Sequence, residues 1–172
     1  MSVNVTYRSS VTANETFTTI LTGESLTATH SAMDTVASLT SVTMPPVSMM
    51  AAFTKTLSDG ANTIDLTSLT GTNGATIDGT GLKVQLIKIQ NPAYQGNGTT
   101  PNSPVNITYG SYVIANGSFI FHTGGSVVLN GGEEVTWCGI DHANVPNISG
   151  SVKTFILTGT ASDQINLTII MG

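Results

Sequence analysis

Charge is what this sequence has least of. Only 9% of its 172 residues are Asp, Glu, Lys or Arg, against about 25% in an ordinary soluble domain. Intrinsic disorder combines high charge with few apolar residues, and here 40% are apolar, so a disordered chain is excluded. The basic residues Arg8, Lys55, Lys83, Lys88 and Lys153 stand singly along the chain. Binding to a phosphate backbone needs clustered cations that displace counterions, so no direct nucleic-acid partner is expected. Ten acidic residues against these five leave a formal net charge of −5.

Cysteine is nearly absent as well. Cys138 is the sole one, which rules out an intrachain disulfide and fits folding in a reducing cytoplasm. The opening MSVNVTYRSS has neither the basic region nor the apolar stretch of a secretory leader. Apolar runs are only a few residues long, whereas a spanning helix needs about 20, so no membrane segment is expected. Seven Asn-X-Ser/Thr triplets begin at Asn4, Asn14, Asn97, Asn106, Asn116, Asn147 and Asn166. Without a secretory route they read as a by-product of an Asn- and Thr-rich composition. The length suits one domain, and folding at this size buries roughly 70% of the unfolded surface, enough for a core without staples.

Thr, Ser, Asn and Gly take the place of the missing charge. Thr is β-branched and suits a pleated, half-exposed surface. Uncharged polar faces are also less costly to desolvate than charged ones, which suits burial against other protein. Period-two alternation marks the strands: Val3, Val5 and Tyr7; residues 15–21; Val47, Met49, Ala51, Phe53 and Leu57; Ile64 and Leu66; Val105, Ile107 and Tyr109. Short runs follow in SFIF, SVVL and EVTW, then SVKTFILTG and DQINLTIIMG. The strongest is LKVQLIKIQ, where Leu82, Val84 and Leu86 share one face and Ile87 and Ile89 the other. That switch means either a β-bulge or burial on both sides.

Asp59-Gly60, Asp78-Gly79, Asn97-Gly98, Asn130-Gly131 and similar pairs separate the runs. Such pairs accept positive φ and mark hairpins. The fold class is therefore all-β, a β-sandwich or jelly roll of about 8–10 short antiparallel strands. Residues 31–39 (SAMDTVASL) read either as about two turns of helix, capped by Ser31 with Asp34 three positions on, or as an irregular segment. Pro45-Pro46 stops any regular element and divides the chain. Residues 1–46 form a polar N-terminal segment, supplying edge strands or an assembly arm, and residues 47–172 form the β-sandwich domain.

Reactive residue types gather only at Trp137-Cys138-Gly139-Ile140-Asp141-His142, after Glu133 and Glu134. Cysteine catalysis needs a base beside the thiol, and zinc needs three or four converging ligands. Only His30 and His122 remain as further histidines, and no spacing ties them here. The alternative puts Val135 and Trp137 in the core with Cys138 incidental. The Gly-rich stretch 71–81 (GTNGATIDGTG) lacks the alternating acids of a calcium loop and reads as a connection. No nucleophile elbow, phosphate loop or His-Glu-X-X-His motif occurs. No catalytic, cofactor-binding or metal-ligating residue is assigned, and an enzyme with dispersed carboxylates is the least favoured alternative. Tyr94, in NPAYQGNGTTPNSP, is the best candidate for an exposed platform under a sugar, or else packs its loop onto the sheet.

The stretch TIDLTSLTGTNGATIDGTGLKVQLIKIQNP, with VVLNGGEEVTWCGID and the closing TGTASDQINLTIIMG, resembles small all-β proteins of bacteriophage particles in general character, over about residues 50–172. The resemblance implies a capsid or capsid-decoration protein, not an enzyme, with a sandwich or jelly-roll fold. It also implies that the chain's partners are copies of itself, as a trimer or larger symmetric array, and other virion proteins. Its location would then be the virion, after synthesis in a host cytoplasm. The acidic balance favours the outer surface over a genome-facing lining.

Overall fold

The computed structural model of the chain describes residues 5–18, 25–40, 42–43, 46–71, 74–112, 125–138 and 145–172. The elements are β1 (Val5–Thr18), β2 (Ser25–Leu39), β3 (Met49–Thr56), β4 (Gly60–Asp65), β5 (Leu69–Thr70) and β6 (Thr76–Ile77), then β7 (Val84–Gln90), β8 (Val105–Tyr109), β9 (Ser126–Leu129), β10 (Glu134–Cys138), β11 (Thr154–Gly159) and β12 (Gln164–Met171). Among the described residues there is no helix, and the all-β class expected from Thr content and turn chemistry is what the chain adopts.

Two four-stranded antiparallel sheets make the body, ordered β10-β7-β12-β3 and β4-β11-β8-β9. Their inner faces share one core. Ile87, Ile89, Ile165, Leu167 and Ile169 come from the first sheet, and Ile64, Val105, Ile107, Phe155 and Leu157 from the second. These side chains are buried because strict alternation in both sheets aims every second residue inward. Each large one stabilises the fold by about 1.5–3 kcal/mol relative to exposure. The small hairpin β5-β6 lies between β4 and β7 in the chain and touches β3.

The faces of β7 fall differently from those expected of LKVQLIKIQ, since Val84 lies in the main core with Ile87 and Ile89 and only Leu86 turns outward, in a strand that is both bulged and buried on both sides. Ile170 pairs with Leu86 and Met171 with Val84, so β7 carries one extra residue at Gln85. That bulge sends Val84 into the main core while Leu86 turns to the outer face of the sheet. There Leu86 and Ile170 are buried with Val47, and Met50 and Cys138 pack against them. Cys138, Leu86, Ile170 and Met50 stand in one register row across all four strands.

Residues 5–39 differ from both readings of residues 31–39. β2 is a strand throughout and pairs antiparallel with β1 from Val5↔Leu39 to Thr18↔Ser25. Neither a helix nor an irregular segment forms, because a partner strand of matching length satisfies its backbone groups and its Ser/Thr content opposes helix. The β1-β2 ribbon is a sheet of its own, hydrogen-bonded to neither four-stranded sheet. Val3 and the run SFIF lie outside the described residues.

Tyr112 closes one end of the core. It is fully buried; its hydroxyl accepts the Val84 N–H at 3.2 Å and donates to the Pro146 carbonyl at 3.1 Å. Burial pushes its phenol from the ordinary 10.0 up to about 12, against a smaller opposing pull from the Val84 N–H. The folded state therefore holds this proton after the unfolded chain has released it. Stability should be unaffected below pH 10 and fall by about 1.4 kcal/mol per pH unit between about 10 and about 12. Urea unfolding from pH 8 to pH 12 tests this as a difference between variants. Tyr112→Phe should start about 1–3 kcal/mol less stable at neutral pH, having lost both hydrogen bonds, and should lack this part of the alkaline slope.

Candidate functional site

The outward face of each sheet follows from the same alternation that builds the core. On the first sheet one row runs Glu134, Gln90, Asn166, Thr54. Thr54 Oγ1 donates to Asn166 Oδ1 at 2.9 Å and Asn166 Nδ2 donates to Gln90 Oε1 at 3.1 Å. Lys88, in the next row, pairs with Glu134 at 2.9 Å. On the second sheet the outward rows are Val128, Asn106, Thr158, Ala61 and Ser126, Thr108, Ile156, Thr63. None of those residues is charged, and Val128 is 56% exposed. The outward rows of the second sheet can be covered by another protein surface without desolvating an ion.

A second feature is the 91–104 connection between β7 and β8. Asn91 is fully buried, and its Nδ2 donates to the carbonyls of Ser103 and Leu129, each at 2.9 Å. Asn102 Nδ2 donates to Pro92 O at 2.9 Å and Gln164 O at 3.0 Å. The Asp163 side chain, also fully buried, accepts from Gln95 Nε2 at 2.8 Å and from the Ser103 N–H at 3.0 Å. At Gly96 a Cβ would collide with the Gln164 amide, so the loop lies directly against β12. On this braced loop Tyr94 pairs with Pro101 in an isolated bridge and stays 54% exposed. The loop thus packs against the sheet, as one reading of Tyr94 had it, while Tyr94 itself stays half exposed.

The reactive cluster divides. Val135 and Trp137 pack against the core, and Cys138 turns to the opposite face, where burial pushes its thiol pKa up. That favours the protonated thiol, the reverse of what a nucleophile needs. Glu133 accepts from the Asn130 N–H at 2.7 Å and holds the β9-β10 turn; Glu134 pairs with Lys88. His30 lies in β2, while His122, Asp141 and His142 are outside the described residues. Among the described residues no three His, Cys, Asp or Glu come together as metal ligands do.

In the 71–81 stretch, Asp78 accepts from the Thr80 hydroxyl at 2.6 Å and the Thr80 N–H at 2.9 Å. Those two bonds hold its carboxyl below the usual range. Asp65 does the same with Thr67 and adds an ion pair to Lys153 at 2.7 Å. Partial burial pushes the Asp65 carboxyl up, but Lys153 and Thr67 outweigh it. Both acids are spent on turn geometry.

Sequence reasoning passed over Asn91, Gln95, Asn102 and Asp163. Gln95 and Asp163 are 68 positions apart, and no local pattern announces a buried carboxylate that serves a distant amide. No family model matches this chain, and no curated protein or solved structure matches it.

Asp163→Ala should strand the Gln95 amide and the Ser103 N–H, at about 2–3 kcal/mol. Denaturant unfolding measures that loss, and hydrogen exchange at Ser103 should speed up while the Ile107 and Leu157 amides stay protected.

Proposed function

We propose that this chain is a structural component of a virus particle, a capsid or capsid-decoration protein that acts by self-assembly and protein–protein contacts. The observation that carries this reading is the β1-β2 ribbon, whose backbone bonds reach neither sheet of the body. A lone two-stranded hairpin is marginal in water, so a ribbon of this length calls for a partner. The uncharged outer rows of the second sheet support the same reading, as does the resemblance of residues 50–172 to phage particle proteins. The body is then a β-sandwich of the kind that coats are built from. Its net charge of −5 favours a place away from packaged nucleic acid. The particle is its location and the host cytoplasm its site of synthesis; its partners are its own copies, as a trimer or larger array, and other virion proteins.

A second reading, a carbohydrate- or receptor-binding module of a fibre, is favoured by Tyr94, half exposed on a loop that is already rigid. A glycan array with Tyr94→Ala as control tests it: loss of a clear signal in the variant supports a sugar platform, and silence across a broad array removes it. For the assembly reading, light scattering after size exclusion should show a defined oligomer at micromolar concentration. A monomer at every concentration, with no particle binding, would overturn it.

A further inference from the structure

We propose that Asn130, in the turn between β9 and β10, is a site of spontaneous succinimide formation that converts it to aspartate and isoaspartate, while Asn97, in a second Asn-Gly pair, is kept intact by its loop. This chemistry is independent of assembly. In it the backbone nitrogen of the following residue attacks the Asn side-chain carbonyl carbon, and glycine favours the attack because no side chain shields that nitrogen. Asn97-Gly98 and Asn130-Gly131 are both exposed to water. Asn73-Gly74 and Asn116-Gly117 occur as well, but Asn73 and the whole of the latter pair lie outside the described residues.

At Asn97 every group that the reaction must move is already engaged. Oδ1 accepts from the Thr99 N–H at 3.0 Å and the Thr100 N–H at 2.9 Å, and Nδ2 donates to Thr100 Oγ1 at 2.8 Å. The Gly98 N–H, whose nitrogen would attack, donates instead to Gln95 O at 2.8 Å. Two donors on Oδ1 would suit an oxyanion, but they hold the side chain while the nucleophile is turned elsewhere. The loop that carries these bonds is itself braced, with Gln95 tied to the buried Asp163 at 2.8 Å and Gly96 lying against Gln164. Ring closure there gives up several hydrogen bonds at once.

Asn130 is held far less. Among the described residues nothing accepts the Gly131 N–H and nothing donates to Asn130 Oδ1. The side chain makes one bond, from Nδ2 to Glu133 Oε2 at 3.1 Å, and the same oxygen accepts the Asn130 N–H at 2.7 Å. These two bonds hold the Glu133 carboxyl below its usual range, so it is a carboxylate at neutral pH. The departing nitrogen takes up a proton as it leaves, and the positive charge it gains faces that anion.

Gly131 N gives its proton to hydroxide and bonds to Asn130 Cγ; the Cγ–Nδ2 bond breaks, and Nδ2 leaves as ammonia with a proton from water. Water then opens the succinimide. Its attack at Cγ gives aspartate, and its attack at the backbone carbonyl carbon gives isoaspartate, with the chain routed through Cβ and Cγ. Either product sets a new carboxylate beside Glu133, and like charges at this range repel. The turn joins an edge strand of one sheet to an edge strand of the other. It is tied to the buried Asn91 by the Gly132 N–H on Asn91 O at 2.7 Å and the Asn91 N–H on Glu133 O at 2.9 Å. Conversion loosens those two bonds first.

The test incubates the full chain at mildly alkaline pH and follows each Asn by tandem mass spectrometry of its peptides, with isoaspartate methyltransferase labelling as a second readout. Asn130 should convert at least about tenfold faster than Asn97, the factor expected when one or two hydrogen bonds must first break. In guanidinium chloride, where turn and loop are gone, the two should convert at similar rates, which separates the effect of the fold from that of neighbouring residues. Asn130→Gln, which cannot close the five-membered ring, should lose the label at this position and leave Asn97 unchanged. Asn130→Asp should speed hydrogen exchange at Gly132 and Asn91 but not at Ile107. Equal rates at Asn97 and Asn130 in the folded chain, or an Asn130 that stays intact there while the unfolded sample converts, overturns the proposal. Unchanged exchange in Asn130→Asp overturns the stated effect on the turn.

Discussion

β12 is the strand on which the rest of this structure depends. It is bonded along its length to β3 on one side and β7 on the other, so removing it would break the first sheet in two. Ile165, Leu167, Ile169 and Met171, its inward row, are at most 1% exposed. The features at both ends of the body also hang from it. Asp163, just before it, pins the 91–104 loop through Gln95 and Ser103. Just after it, Gly172 exchanges two backbone bonds with Lys83 at 3.0 and 3.1 Å, and a Cβ there would collide with the Pro46 carbonyl.

Low charge acts at two levels of the molecule. Within the body it leaves stability to burial: the ion pairs Lys88–Glu134 and Lys153–Asp65 are partly exposed, and such pairs contribute about 0–1 kcal/mol each. At the surface it leaves rows of Thr, Asn, Ala and Val, whose dehydration costs less than that of carboxylates or ammonium groups. A monomer that lived entirely in water would gain nothing from this choice, since charge is what keeps surfaces apart. A surface meant to meet protein gains from it directly.

How much was legible in the sequence depended on whether alternation kept its phase. β12 and β8 keep theirs, and their core residues were readable at once. β3 was readable from Ala51 onward, but Val47 leaves the series. It packs on the outer face with Leu86 and Ile170, because it stands before the strand, where its N–H closes the turn from Thr40. β7 changes phase through its bulge at Gln85, and the ambiguity there was real, since the strand is both bulged and buried on both faces. β2 was misread for the same cause. The register shift between Thr35 and Ala32 breaks its alternation, and Ser31 with Asp34 three positions on imitates a helix cap. Nothing local to residues 25–39 reveals that a partner strand exists. The braced loop was illegible for another reason: its polar partners are set by tertiary contact alone.

The root of the ribbon shows how the two parts are joined. The Val47 N–H donates to Thr40 O at 2.8 Å and the Ser48 N–H to Met171 O at 2.9 Å, while Thr40 N–H donates to Thr43 Oγ1 at 2.9 Å. The chain leaving β2 is thus folded back into a tight turn, and its last apolar residue, Val47, is buried on the outer face of the first sheet. Val47 is therefore the bolt between ribbon and body. The ribbon's base is fixed beside the row of Leu86 and Ile170, which is buried, with Cys138 and Met50 partly so. Val47 shares the buried outer-face cluster with Leu86 and Ile170, so the chain between ribbon and body is fixed when the body folds.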